Sequence, residues 1–114
     1  MTVGLKIKIE EEDGITLVRV EGRLDAASSP MLENKINELI SGGKKQILMD
    51  FENVDYLSSA GIRLLLSTTK KLKVIEGKLS FCSINEEVME IIKMAGFDTI
   101  LTIYPTEKKA KEGF

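Results

Sequence analysis

Two adjacent hydroxyls, Ser58 and Ser59, stand in the junction Asp55-Tyr56-Leu57-Ser58-Ser59-Ala60-Gly61, and they are the residues of this sequence best placed for chemistry. The junction falls between an apolar run and a stretch of helical periodicity, the place where α/β sheets commonly present functional groups. Ser58 suits the N-cap, its oxygen accepting from a free backbone N–H of the first turn, which leaves Ser59 at the first helical position with its hydroxyl outward. A phosphate on Ser59 would face the positive end of the helix, so the fold tolerates it. The modification adds roughly −1.5 to −2 charges at neutral pH. A partner fitted to the bare hydroxyl would have to desolvate or repel that charge. The plainer reading of the same two serines is that they cap a helix and do nothing else.

Nucleophilic catalysis by Ser59 lacks its usual apparatus. No histidine occurs among the 114 residues, so a Ser-His-Asp triad, a phosphohistidine relay and an imidazole metal ligand are all excluded within the chain. The Gly-x-Ser-x-Gly elbow is absent too, and a lysine base is the one route left to a serine hydrolase. No enzyme is expected at this junction. Cys82 is the single cysteine, which forbids an internal disulfide, fits a reducing compartment and makes a zinc site implausible. No glycine-rich phosphate loop is present, so no cofactor is expected.

Sixteen basic and eighteen acidic residues leave a formal charge of −2, which gives no overall field to hold a nucleic acid or an anionic membrane. The first ten residues alternate apolar and charged types and lack a signal-peptide core, and no later run approaches a membrane span. A cytoplasmic location is expected. The length and the 43% apolar content suit one domain over residues 1–114, without repeats or linkers. A monomer is the default expectation.

The elements that must position the junction follow from periodicity. Leu5, Ile7 and Ile9 alternate with Lys6, Lys8 and Glu10, and the turn residues Glu11-Glu12-Asp13-Gly14 precede a second alternating stretch over residues 15–21, which predicts a hairpin. Ser29 reads as an oxygen cap before Pro30, with Leu32, Ile36, Leu39 and Ile40 on one helical face and Gly42-Gly43 at the end. Residues 46–51 predict a central strand covered on both faces, broken by Glu52-Asn53. Ile62, Leu65, Leu66, Thr69 and Leu72 give the longest helix, over residues 58–75. A strand over residues 78–82 follows, then a capping box Ser83-x-x-Glu86, a helix stopped at Gly96, and a last strand over residues 99–104. Residues 105–114 read as a short charged helix or tail, with the helix preferred. Met31, Met49, Met89 and Met94 are assigned to core or half-buried packing. The fold class is α/β, with a mixed four- to five-stranded sheet, crossover helices and the order β-β-α-β-α-β-α-β.

Three features together resemble the STAS domain, the family of bacterial anti-sigma factor antagonists. They are Gly22-Arg23-Leu24-Asp25, the approach Asp50-Phe51-x-x-Val54-x-Tyr56, and Leu57-Ser58-Ser59-Ala60-Gly61-Ile62-Arg63, and the resemblance runs over about residues 3–104. It implies that the hydroxyl two residues before the glycine, Ser59, accepts a phosphate, with Ser58 the second candidate. Asp25 then corresponds to the acidic position near the acceptor, and Asp25, Ser58, Ser59, Gly61 and Arg63 become the partner-binding set. The implied partners are an anti-sigma factor with serine kinase activity, which supplies the ATP and metal, and a serine phosphatase. The unmodified antagonist would release the sigma factor, and the phosphate would end binding. Ser58 stands where antagonists commonly carry aspartate, which leaves open an unphosphorylated scaffold or small-ligand sensor.

Overall fold

The computed structural model describes residues 4–114; residues 1–3, where the resemblance and the expected domain begin, lie outside the described part. Asp13 and Gly14 take positive φ angles of 53° and 81°. That is the two-residue turn geometry whose twist suits a hairpin. It joins β1 (Leu5–Glu12) to β2 (Ile15–Leu24), with Glu12 opposite Ile15. The chain continues through α1 (Ser29–Ser41), β3 (Gln46–Leu57), α2 (Ser59–Val74), β4 (Lys78–Cys82), α3 (Glu86–Met94), β5 (Ile103–Tyr104) and α4 (Glu107–Glu112). The five strands lie side by side in sequence order, with β1 antiparallel to β2 and every later pair parallel.

Crossovers that always step the same way along a sheet put their helices on one face. Accordingly Leu32 and Ile36 of α1, Leu65 and Leu72 of α2, and Val88 and Ile92 of α3 share one core with Val18, Val20, Ile47, Met49 and Phe51. Phe51 and Phe81 meet there edge to face, with ring centroids 5.4 Å apart. The opposite face carries α4, whose Ala110 packs with Leu17, Leu48, Cys82, Tyr104 and Phe114. β3 is thus buried on both sides, as its apolar run predicts. Burial pushes the Cys82 thiol up to about 11.

Several local expectations are corrected. β3 does not break at Glu52-Asn53 but runs to Leu57, because it absorbs two extra residues against β2: Arg19 pairs with Asp50 while Glu21 pairs with Asn53, and Gly22 pairs with Val54 while Arg23 pairs with Tyr56. These are β-bulges. α1 starts at Ser29 itself, with Ser28 in the cap position. The Ser28 hydroxyl gives no cap because it faces back toward the end of β2, its oxygen accepting from the Asp25 N–H at 3.0 Å and its O–H donating to the Arg23 carbonyl at 2.6 Å. Ser83 is not a cap either; its φ is 60°, and Asn85 caps α3 by accepting from the Val88 N–H at 2.8 Å. The last strand keeps only Ile103–Tyr104, since the amides of Ile100 and Leu101 turn back to the Phe97 carbonyl. Met31 and Met94 are exposed, 43% and 83%, rather than packed. The charged tail forms the helix α4.

Candidate functional site

β3 delivers the junction at the C-terminal edge of the parallel strands, next to the end of β2. The Ser58 N–H donates to the Leu24 carbonyl at 2.9 Å, so the last backbone step before the helix is tied to β2. The Ser58 hydroxyl accepts from the Gly61 N–H at 3.2 Å, and its carbonyl accepts from the Ile62 N–H at 2.9 Å. Ser58 is the N-cap of α2. Ser59, the first helical residue, is exposed, and its hydroxyl makes no hydrogen bond to protein among the described residues.

Gly61 is buried, and a Cβ there would lie 2.7 Å from the Leu24 carbonyl oxygen and 2.8 Å from Leu57 Cδ1. Its part is therefore the close seating of α2 on β2, not the presentation of a contact. Any side chain would lift the helix start away from the strand.

Asp25 follows β2 directly and closes the turn into α1. Its Oδ1 accepts from the N–H groups of Ala27 and Ser28, both at 3.1 Å, and the Ser28 N–H is the main cause that holds its carboxyl below the ordinary aspartate value. The Arg23 guanidinium sits 3.8 Å from its other oxygen and 4.3 Å above the Tyr56 ring. Arg63 is exposed one turn into α2, with no ion pair among the described residues. Between α1 and α2 runs a groove of about 350 Å³, walled by Ala26, Pro30 and Glu33 on one side and Ala60, Arg63 and Leu64 on the other.

The fold thus gathers Asp25, Ser58, Ser59 and Arg63 around one edge, with Gly61 beneath them. Sequence reasoning missed two members, the Arg23–Tyr56 stack and the groove. The stack depends on the second bulge of β3, which sets Arg23 opposite Tyr56, and no residue type announces that bulge. Asn85 also escaped notice; its side-chain N–H donates to the Val54 carbonyl at 2.8 Å and ties α3 to the approach strand.

A second polar cluster lies on the other face of the sheet. Arg19 donates to Asp50 at 2.7 Å, to Glu107 at 2.7 Å and to Glu10 at 3.0 Å. Lys111 joins Glu107 at 2.9 Å and Glu12 at 2.8 Å. The Arg19 hydrogen bond holds the Glu107 carboxyl down at about 2. With its charges satisfied internally, this cluster acts as a clasp for α4. Among the described residues no group of acidic or cysteine side chains has the arrangement of a metal site, and no helix is long and apolar enough to cross a membrane.

The chain matches the STAS domain family over residues 6–110. It is 28% identical over 109 residues to the anti-sigma F factor antagonist of Paenibacillus polymyxa, covering 95% of this chain and 93% of that protein. The crystal structure of an anti-sigma factor antagonist from Mycobacterium paratuberculosis superposes with a TM-score of 0.87 at 26% identity, covering 96% of this chain and 92% of that one. SpoIIAA in its unphosphorylated form superposes with a TM-score of 0.79 at 21% identity over 94% of each chain. The Bacillus SpoIIAA in its phosphorylated form gives 0.71 at 20% identity, over 94% of this chain and 97% of that one.

Proposed function

Because this chain belongs to the STAS domain family, we propose that it is an anti-sigma factor antagonist, a regulator that works by binding, switched by phosphorylation of Ser59. The unmodified protein binds an anti-sigma factor that is also a serine kinase, and sigma factor is released. The kinase brings ATP and its metal, so the antagonist needs no cofactor of its own. Phosphate on Ser59 ends the complex, and a serine phosphatase restores it. The whole chain, 1–114, acts as one domain in this cycle.

The observation that carries the reading is the division of labour between the two serines. Ser58 is held by the Gly61 N–H as a cap, while Ser59 presents an unengaged hydroxyl at the first helical position. A phosphate can be added to Ser59 without breaking a bond that the fold uses. Asp25, Ser58 and Arg63 surround it as partner contacts, and Gly61 supports them from below.

The test is mass spectrometry of the protein incubated with ATP, magnesium and host extract, together with binding to the cognate anti-sigma factor. One phosphate is expected, retained in Ser58→Ala and absent in Ser59→Ala. Ser59→Asp is expected to weaken binding about a hundredfold or more, roughly 2.7 kcal/mol, while Ser59→Ala binds like wild type. Ser58, in the position where antagonists commonly carry aspartate, supports a second reading, an unphosphorylated scaffold or sensor. Binding that ignores both Ser59 substitutions, with no phosphate gained while the extract's kinase modifies a known substrate, would establish that alternative.

A further inference from the structure

We propose that Arg63 clamps the phosphate of phosphorylated Ser59 within the same chain, so that the modification also withdraws a cation from the binding surface. The inference rests on Ser59 as the acceptor. Ser59 and Arg63 are both exposed and stand four residues apart on α2. Helical geometry places such residues on one face with their Cβ atoms about 5–6 Å apart. An arginine spans that gap, and its planar fork matches two phosphate oxygens at once. The order, anion toward the helix start and cation one turn on, is the favourable one.

Competition for the guanidinium is small. Arg63 has no ion pair among the described residues, and the first turn of α2 contains no acidic residue. Asp25, across the junction, is engaged by the amides of Ala27 and Ser28. Glu33, on the far wall of the groove, lies 3.8 Å from Lys71, and Asp55 is an exposed acid on β3. The neighbouring cation Arg23 is drawn to Tyr56 and Asp25. Arg63 is therefore the cation on the face of Ser59 that a new phosphate can recruit.

The consequence concerns the groove between α1 and α2. Arg63 forms part of its wall beside Ala60 and Leu64. A guanidinium folded back over the phosphate no longer points into that groove. Phosphorylation then changes the surface twice, by adding charge at Ser59 and by removing charge at Arg63.

The test uses full-length chain with phosphoserine installed at position 59 during synthesis, which makes it independent of any kinase. The second ionisation of the phosphate is followed by phosphorus NMR in the wild-type background, in Arg63→Gln and in Arg63→Lys. It is expected about half a unit lower with arginine than with Arg63→Gln, and intermediate with Arg63→Lys. The unphosphorylated variants should melt like wild type, since Arg63 is exposed. Coincident titration curves in all three backgrounds overturn the clamp. If the curves separate as expected but extract leaves Ser59 unmodified, the clamp chemistry stands and the phosphorylation cycle proposed above is what fails.

Discussion

Arg19 donates to Glu10, Asp50 and Glu107, whereas the Ser59 hydroxyl makes no hydrogen bond to its own chain among the described residues. The two sites lie on opposite sides of the same sheet and show two uses of polar chemistry. Around Arg19 each charge has found its counterpart, so the cluster is closed and its effect is mechanical: it holds α4 over Leu17, Leu48 and Cys82. Around Ser59 the backbone is anchored on both sides of Ser58, to Leu24 and to Ile62, while the side chains of Ser59 and Arg63 are exposed and make no hydrogen bond or ion pair among the described residues. A hydrogen-bonded backbone beneath exposed side chains suits the switch proposed above, because modification would then alter the surface and not the fold.

That contrast predicts different consequences for substitutions on the two sides. The largest effect on stability belongs to Arg19→Ala, which takes from Asp50, only 10% exposed, its paired cation and leaves Glu107 with Lys111 alone. A loss of about 2–4 kcal/mol is expected in denaturant melts, with affinity for the anti-sigma factor unchanged at temperatures where the variant stays folded. Altered affinity in the folded variant would break the division between clasp and contact surface.

The acid limb of stability gives the second test. Glu107 is held at about 2, below its ordinary 4.5, first by Arg19 and then by Lys111. A carboxyl depressed in the folded state stabilises above its unfolded pKa, so its contribution is complete above about pH 4.5 and disappears as the pH falls toward 2. Glu107→Gln should flatten that part of the stability profile and cost about 1–2 kcal/mol at neutral pH, allowing for solvent screening of a group 31% exposed. An unchanged profile would show that α4 is held by Ala110, Tyr104 and Phe114 alone. The smallest effect is expected at the junction: Ser58→Ala removes one cap bond and should lower stability by about 1 kcal/mol in thermal melts. A much larger loss would mean that the junction, like the clasp, is part of what holds the fold together.

The sequence carried the junction more clearly than the clasp, for a physical reason. Capping is local chemistry, so Ser58, Ser59 and the helix after them are legible from three or four neighbouring residues. The helix spanning 58–75, the strand over 78–82 and the hairpin were readable because one period runs through each. Arg19 joins residues from β1, β3 and α4, and its partner Glu107 is 88 positions away, a separation at which no local pattern operates. The capping box at Ser83 failed because Asn85 competes for the same role with a better-placed side chain. The long last strand failed because the amides after Phe97 close a turn before they can join the ladder.

The two bulges in β3 also bear on how such a surface can diversify. Beyond Phe51 the strand buries every third residue, Phe51, Val54 and Leu57, and leaves Glu52, Asn53, Asp55 and Tyr56 exposed between them. A regular strand would alternate, with every second side chain committed to the core wherever one face is covered. Here pairs of outward positions lead up to Ser59, and changes in those pairs carry little folding penalty. The bulged approach is thus a stretch whose outward side chains can change while the buried residues Phe51, Val54 and Leu57, which carry the chain to Ser58 and Ser59, stay constant.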